Sequence, residues 1–243
     1  MRFGLIGKNI SYSFSQAYFS NKFKQLKLPA NRYDNFDLED IEALPQVLKD
    51  YPELKGLNVT IPYKESVIPF LNKLSKKAEK IGAVNTIKFL KNGGLKGYNT
   101  DCYGFKKSIE PFIKKHHKKA LILGTGGASK AIAFSLKELG IKYKYVSRSP
   151  VKSNLSYDDL NEKIITQHQI IINCTPLGTF PKIDECPNIP YEYISENHLL
   201  YDLVYNPKRS LFLTNGEQRG AVITNGLKML EFQAEKAWEI WNN

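Results

Sequence analysis

The residues best suited to bind a cofactor form a glycine-rich segment in the middle of the chain. This segment consists of Gly124, Thr125, Gly126, Gly127, Ala128 and Ser129. An apolar run, Ala120 to Leu123, precedes it, and apolar residues at helical spacing follow it. This order is the context of a dinucleotide-binding loop, in which glycines allow close approach to a pyrophosphate and helix N–H groups face it. Because Ser129 replaces the usual third glycine, the loop alone is equally typical of an ordinary turn.

The residues after the next predicted strand indicate which dinucleotide the loop would hold. The strand ends at Val146, and Ser147, Arg148, Ser149 and Lys152 follow it. A NAD-binding unit has an acidic residue at about this point, where it binds the ribose 2′-hydroxyl. This segment has no acidic residue, and an arginine with hydroxyls and a second cation suits a 2′-phosphate. The combination predicts NADP rather than NAD.

Hydroxyl groups cluster where the first predicted strand ends. Phe3 to Ile6 is apolar, and a turn containing Ser11, Ser13 and Ser15 leads from it into a helix. Ser13 or Ser15 could cap that helix, but three hydroxyls in five residues exceed what one cap needs. Hydroxyls at the carboxyl end of a strand also suit a polyhydroxylated or carboxylated ligand.

Charged and amide side chains lie at other predicted strand ends. Lys64 follows a short strand that Pro62 ends, near the first turn of a helix predicted through Val67 to Leu71. A cation there opposes the helix dipole, so a functional lysine and an ordinary surface lysine both remain open. Another strand is predicted over Ile81 to Ile87. The other polar residues at or near strand ends are Asn58, Asn85, Asn99 and Asp101. They could orient a small polar ligand or form Asx turns and caps.

Composition limits the class of protein. The chain of 243 residues suits one large domain or two small ones, and no apolar run approaches the ~20 residues of a transmembrane helix. Residues 1–7 are interrupted by glycine and fit a buried strand better than a signal peptide. The three cysteines and four histidines lack the spacing of disulfide or metal sites, so we expect no metal and a cytoplasmic protein.

The net charge of +11 permits a nucleic-acid partner. However, the lysines are scattered along the chain and many fall on polar helix faces, without a basic stripe interleaved with aromatic residues. We therefore expect a lysine-rich surface that binds neither nucleic acid nor membrane. Attraction of anionic small molecules is a milder functional interpretation that stays open.

The order of predicted elements indicates an α/β fold. Continuous apolar runs near Ile170 to Ile172 and Leu199 to Val204 alternate with helical patterns, which predicts a parallel sheet covered on both faces. The last helix, from about Leu227 to Trp241, has an apolar stripe. Gln233 lies beside that stripe, and its amide would need a polar partner that a ligand can supply.

Taken together, these segments resemble the shikimate dehydrogenases, which reduce 3-dehydroshikimate to shikimate with NADPH. The motifs span nearly the whole chain: Ser13-Phe14-Ser15, Asn58 to Lys64, Ala83 to Thr86, Gly97 to Asp101, Gly124 to Ser129, Asn173 to Gly178, Tyr201 to Pro207, and Gly226 to Leu230 with Gln233.

The resemblance implies two α/β domains with the active site in the cleft between them. Residues 1–101 plus 226–243 would form a substrate domain with a mainly parallel sheet, and residues 102–225 a Rossmann-type NADP domain. Lys64 and Asp101 would be the catalytic pair. The residues implied to hold the substrate are Ser13, Ser15, Thr60, Asn85, Asn99, Tyr205 and Gln233. The residues expected near the cofactor are Gly124, Gly126, Gly127, Ala128, Ser129, Ser147, Arg148, Ser149, Lys152, Thr175, Gly226 and Met229.

The chemistry of this pair suits ketone reduction, because a lysine ammonium beside a carboxylate can donate a proton to the developing alkoxide. Two alternatives remain open. One is a quinate/shikimate dehydrogenase with broader substrate or NAD use, and the other is a non-catalytic NADP-binding module. The sequence leaves the choice between monomer and homodimer open.

Overall fold

The structure is a computed structural model that describes residues 1–11, 13–151 and 154–243. Lys152, one of the predicted cofactor residues, lies outside the described residues. The chain divides into two compact units, one formed by Met1–Thr100 with Ala234–Asn243 and the other by Asp101–Gln233. None of the helices in the described ranges combines the length and hydrophobicity needed to cross a bilayer.

The first unit contains a six-stranded mixed sheet in the order β2-β1-β3-β5-β6-β4. Its strands are β1 (Arg2–Gly7), β2 (Arg32–Asp37), β3 (Leu54–Val59), β4 (Lys73–Leu74), β5 (Thr86–Phe89) and β6 (Leu95–Tyr98). Strand β1 pairs in parallel with β2 and β3, whereas β5 is antiparallel to both β3 and β6. The carboxyl ends of β1, β3 and β6 therefore lie at the same edge of the sheet as the amino end of β5.

The helices of this unit are α1 (Phe14–Gln25), α2 (Leu44–Asp50), α3 (Lys76–Ile81) and the later turns of α8 (Leu227–Asn242). An aromatic cluster forms much of the core on one side of the sheet, where Trp241 stacks on Phe3 at 4.9 Å and Phe19 stacks on Tyr33 at 4.6 Å between ring centroids. Gly56 permits this packing, because a Cβ atom there would collide with the indole of Trp241.

Two predicted elements of the first unit are wrong. Residues 61–67 form turns, and only a short 3₁₀ helix, Ile68–Phe70, follows them. Pro62 and Pro69 lack the N–H groups that a longer helix needs, so Lys64 is not in the first turn of a helix and the dipole argument does not apply to it. The strand predicted from Ile81 starts only at Thr86, because Gly82, with φ of 69°, ends α3 in the left-handed conformation.

The second unit contains a five-stranded parallel sheet in the order β11-β10-β9-β7-β8. Its strands are β7 (Lys119–Leu123), β8 (Lys142–Val146), β9 (Ile170–Asn173), β10 (Leu199–Asp202) and β11 (Val222–Thr224). The helices are α4 (Asp101–Ile109), α5 (Gly127–Glu138), α6 (Glu162–Gln167), α7 (Leu211–Glu217) and the first turns of α8 (Leu227–Asn242).

Both faces of this sheet are buried. Ala120 and Ile122 of β7 pack with Phe105 of α4, whereas Leu121 and Leu123 pack with the group that includes Phe212 of α7. Alternate residues of one strand thus enter two different cores, which is why its sequence is continuously apolar. The predicted α/β class, with a parallel sheet covered on both sides, is confirmed.

Candidate active site

The polar strand-end residues of the first unit lie together at one edge of its sheet. Thr60 N donates to Ile6 O at 2.9 Å, Val59 N donates to Asn85 O at 2.9 Å, and Asn85 N donates to Tyr98 O at 3.0 Å. These backbone hydrogen bonds join the ends of β1, β3 and β6 to the start of β5. We call this region, from Thr60 through Asn85 to Asn99, the polar edge.

Asn85 is the central side chain of the polar edge and is buried. Its Oδ1 accepts a hydrogen bond from Thr100 N at 2.7 Å, and its Nδ2 donates to Thr100 Oγ1 at 2.9 Å. The neighbouring Asn99 is also buried, and its Nδ2 donates to Ala83 O at 3.0 Å. The amides predicted to hold substrate thus also fix the backbone from which they project.

Asn58 has a structural role. Its Nδ2 donates to Asn85 O and Thr86 Oγ1, both at 3.2 Å, and its Oδ1 accepts from the Tyr33 hydroxyl at 2.7 Å. The side chain is buried and its hydrogen-bonding groups on both sides have protein partners. Of the two interpretations open for Asn58, the structure therefore favours a scaffold over a ligand contact.

The two predicted serines lie at the start of α1, directly after the loop that follows β1. Ser13 is the N-cap, and its Oγ accepts from Ser15 N at 3.1 Å, so capping accounts for Ser13 at least in part. Ser15 is half-buried, and its hydroxyl is close enough to Tyr33 to oppose the rise in the tyrosine pKa that burial causes.

The turn that carries Lys64 is bound to the same edge. Val84 N donates to Lys64 O at 2.7 Å, which places the lysine backbone beside the residues leading to Asn85. The Lys64 side chain is half-buried. The first unit therefore brings together Lys64, Thr60, Asn85 and Asn99, while Asp101 is the buried first residue of α4 in the second unit.

In the second unit, the glycine-rich segment joins β7 to α5 as predicted. Gly124 has φ of 99°, and a Cβ atom there would approach Thr175 Cγ2 to 3.2 Å. Gly126 is the N-cap of α5 without a capping side chain, and a Cβ on it would meet nothing within 4 Å. The N-terminus of α5 thus presents backbone N–H groups next to free space around Gly126, and this arrangement fits a dinucleotide pyrophosphate.

Ser129 occupies the position of the usual third glycine and stabilises the turn through its own hydrogen bonds. The serine is buried, its Oγ donates to Gly126 O at 2.7 Å, and its backbone N donates to the same oxygen at 2.9 Å. The side chain therefore braces the turn from within. Gly127 and Ala128, in the first turn of α5, are both at least partly accessible to a ligand.

The basic segment after β8 is largely open to solvent. Arg148 and Ser149 are exposed, and Ser147 is half-buried with its Oγ accepting from Ser149 N at 3.3 Å. Arg148 lies near Tyr157, where its charge opposes the rise in the tyrosine pKa caused by burial. Ser147 to Val151 contains no carboxylate, so the segment fits a 2′-phosphate better than a 2′-hydroxyl.

A buried polar network that the sequence did not predict lies at the carboxyl ends of β9 and β10. Asp202 accepts hydrogen bonds from Asn173 Nδ2 at 2.9 Å, from Val204 N at 3.0 Å and from the Ser210 hydroxyl. Burial raises the pKa of Asp202 to about 6, against the effect of these donors. Asn173 in turn accepts from Thr175 Oγ1 at 2.6 Å and so fixes a predicted cofactor residue.

Other predicted site residues have mixed environments. Gly226 is buried, and a Cβ atom there would collide with Leu203 O, so only glycine fits this approach. Met229 is buried in the core cluster that also includes Phe105. Tyr205 and Gln233 are half-buried. Among the described residues, no three His, Cys, Asp or Glu side chains are grouped as metal ligands.

Comparisons with known proteins identify the family. Residues 5–87 match the family model described as the shikimate dehydrogenase substrate binding domain. A shikimate dehydrogenase (NADP(+)) of Clostridium botulinum is 41% identical over 249 residues, which cover 98% of this chain and 95% of the relative. The chain belongs to the shikimate dehydrogenase family. The resemblance inferred from its motifs is thereby confirmed.

Solved structures of this family have the same fold. The shikimate dehydrogenase of Aquifex aeolicus superposes with a TM-score of 0.89 at 32% identity, covering 100% of this chain and 92% of that one. The enzyme of Thermus thermophilus, solved in complex with NADP(H) and shikimate, has a TM-score of 0.87 at 30% identity, with coverage of 99% and 93%.

Proposed function

We propose that this protein is an NADP-dependent shikimate dehydrogenase that reversibly reduces 3-dehydroshikimate to shikimate, a step of aromatic amino acid biosynthesis. The observation that carries the proposal is the nearly full-length similarity to shikimate dehydrogenases (NADP(+)). The glycine loop at α5, which has no capping side chain, and the exposed Arg148 after β8 are independent support, because they suit a dinucleotide with a 2′-phosphate.

We further propose that residues 1–101 plus 226–243 bind the substrate and that residues 102–225 bind NADP. The polar edge supports the first assignment, because its hydroxyl and amide groups suit a small molecule with a carboxylate and several hydroxyls. The substrate residues in this proposal are Ser13, Ser15, Thr60, Asn85, Asn99 and Gln233 of these segments, with Tyr205 added from residues 102–225. The parallel sheet, with its glycine loop at the end of β7, supports the second.

Lys64 is the general acid of the proposed reaction, and Asp101 orients it. NADPH, when bound, supplies the two electrons and the hydrogen that reduce the ketone carbon. The ketone oxygen then gains its proton from the Lys64 ammonium, which becomes a neutral amine and later recovers a proton from solvent. In the reverse direction the neutral amine removes the hydroxyl proton of shikimate.

Lys64 also stabilises the transition state through its positive charge. Negative charge develops on the ketone oxygen as reduction proceeds, and an ammonium beside that oxygen stabilises it in the transition state more than in the ground state. In this proposal the buried carboxylate of Asp101 accepts a hydrogen bond from the ammonium and so holds it in position beside the ketone oxygen. Asp101→Asn should therefore lower the rate while leaving the substrate's hydroxyl contacts in place.

The remaining assignments follow from the same reaction. The substrate is a small molecule, and we propose that the enzyme acts in the cytoplasm as a monomer or homodimer. All three cysteines lie within the described ranges and are thiols rather than disulfides, as a reducing compartment allows.

Absorbance at the nicotinamide band tests the function. Purified protein is mixed with shikimate and either NADP⁺ or NAD⁺, and then with quinate in place of shikimate. Rapid reduction of NADP⁺ with shikimate alone is expected. Equal turnover of quinate or a preference for NAD⁺ would indicate the broader dehydrogenase, and a folded protein without turnover would indicate a binding module.

A further inference from the structure

We infer that Asp202 is a positioning residue whose buried carboxylate fixes the turn that carries Thr175, the segment that carries Tyr205 and the start of α7. Through Val204 it also holds Gly226 in place. The inference rests on the proposed function, since it takes these residues to contact cofactor and substrate. Asp202 lies outside the predicted site, and its effect on NADPH binding can be measured separately from turnover.

The first segment is the turn after β9. Asn173 donates from Nδ2 to Asp202 Oδ1, so its own Oδ1 must face the other way. There it accepts from Thr175 N at 3.0 Å and Thr175 Oγ1 at 2.6 Å. Thr175 Oγ1 also accepts from Leu177 N at 3.3 Å, so the orientation of one amide determines the shape of the whole turn.

The second segment follows β10. Val204 N donates to the same carboxylate oxygen at 3.0 Å, and Tyr205 is the next residue. Val204 O accepts from Gly226 N at 3.2 Å, and Gly226 packs directly on Leu203 O. Asp202 thereby fixes both Tyr205 and the start of α8.

The third segment is the start of α7. The Ser210 hydroxyl donates to Asp202 Oδ2 and accepts from Leu213 N as the helix cap. Asn173, Asp202 and Ser210 are all essentially inaccessible to solvent, with 0, 0 and 1% exposure. A buried carboxylate is costly without donors, and these three donors come from the three segments that must be held together.

Two variants of Asp202 and one matched control separate positioning from general stability. Asp202→Ala removes all three hydrogen bonds. Asp202→Asn keeps the shape of the side chain and the acceptor oxygen Oδ1, but it replaces Oδ2, which accepts from the Ser210 hydroxyl, with an NH₂ group. Ser108→Ala removes a different buried hydrogen bond of the same unit, the one of 2.7 Å between the Ser108 and Tyr201 hydroxyls. Ser108 belongs to none of the proposed contacts.

The primary readout is the dissociation constant for NADPH alone, measured from the fluorescence of its nicotinamide, with circular dichroism to verify folding. The free energy of one buried hydrogen bond to a charged group corresponds to a factor of about 10 or more in an equilibrium constant, and this sets the scale of the effect on NADPH binding when the site can no longer hold its bound geometry. We expect binding to weaken by more than about tenfold in Asp202→Ala, by about three- to tenfold in Asp202→Asn, and by less than about twofold in Ser108→Ala. KM for NADP⁺ should rise in the same order, with a smaller change in kcat.

If wild-type protein binds NADPH and Asp202→Asn binds it within about twofold of wild type, the inference is wrong even if the alanine variant fails to fold. Equal weakening in Ser108→Ala would reduce Asp202 to a stability effect and also overturn it. If wild-type protein itself does not bind NADPH, the proposed function fails first.

Discussion

The hydroxyl of Tyr33 donates a 2.7 Å hydrogen bond to Oδ1 of Asn58, and both side chains are buried. The same asparagine donates from Nδ2 to Asn85 O. One tyrosine on β2 is therefore connected through Asn58 to the residue at the centre of the polar edge. This connection predicts that the stability of the first unit and the geometry of the proposed substrate site depend on Tyr33.

Tyr33→Phe should destabilise the first unit by about 1–3 kcal/mol, because it leaves the buried Asn58 Oδ1 without its donor. Urea unfolding followed by tryptophan fluorescence would measure this, since both tryptophans lie in the aromatic cluster of this unit. Tyr51→Phe is the control, a half-buried tyrosine of the same unit that packs on Phe36. Equal stability losses in the two variants would show that the Tyr33 hydroxyl has no special role.

Gly126→Ala should weaken cofactor binding without a loss of stability, whereas Gly226→Ala should destabilise the fold. A Cβ at Gly126 meets nothing within 4 Å and its φ of −71° suits alanine, so stability should stay within about 0.5 kcal/mol while KM for NADP⁺ rises about tenfold. A Cβ at Gly226 would collide with Leu203 O and should cost about 1–3 kcal/mol. Unfolding by circular dichroism and KM measurements on both variants test the pair; unchanged cofactor affinity in Gly126→Ala would argue against a pyrophosphate at this loop.

Arg148→Ala should weaken the use of NADP⁺ and not that of NAD⁺. A hydrogen bond to a charged phosphate is worth about 1.5–3 kcal/mol, which corresponds to a rise in KM for NADP⁺ of about 10- to 150-fold. The control is Arg219→Ala, another exposed arginine of the second unit. If KM for both dinucleotides changes equally, Arg148 does not recognise the 2′-phosphate.

The stability of the second unit should fall in mildly acidic solution. His117, His168 and His198 are buried, and desolvation is the largest factor that lowers the pKa of each. The unfolded chain therefore binds protons at a higher pH than the folded one, so stability is fully present above about pH 6.5 and declines as the pH falls below it. Asp202 acts in the opposite sense, because its folded pKa of about 6 exceeds its usual value, but one carboxyl opposes three histidines.

Urea unfolding at about pH 7.5, 6.5 and 5.5 followed by circular dichroism tests this dependence. Each histidine can contribute a slope of up to about 1.4 kcal/mol per pH unit. His198→Gln should make the decline shallower, whereas His116→Gln, at an exposed position, should leave it unchanged. A wild-type stability that is constant across this range would contradict the prediction.

Local sequence patterns predicted the elements that depend on near neighbours. The strand Lys119–Leu123, the glycine turn and α5 were predictable because apolar periodicity and glycine spacing are local signals. The helix expected at Lys64 and the strand expected at Ile81 were wrong because prolines 62 and 69 and the left-handed Gly82 overrode the apolar pattern.

The buried polar networks could not be predicted in the same way. Asn173 and Asp202 are 29 residues apart, and Tyr33 and Asn58 are 25 apart, so their contacts depend on strand order and register. The sequence signal for the Asp202 network was the acidic residue itself, which directly follows the apolar run Leu199–Tyr201. A carboxylate at the end of a buried strand needs hydrogen-bond donors around it.

The measurement that tests the central claim most directly is kcat for Lys64→Ala, with shikimate and NADP⁺ as substrates. The control is Lys8→Ala, which removes a cation next to β1 that pairs with Glu39 at 2.9 Å. Loss of a proton-transfer group predicts a fall in kcat of about 10²–10⁴-fold in Lys64→Ala, with Lys8→Ala near wild type. A fall of less than about tenfold in a folded Lys64→Ala protein would contradict the role of Lys64 as the general acid and base.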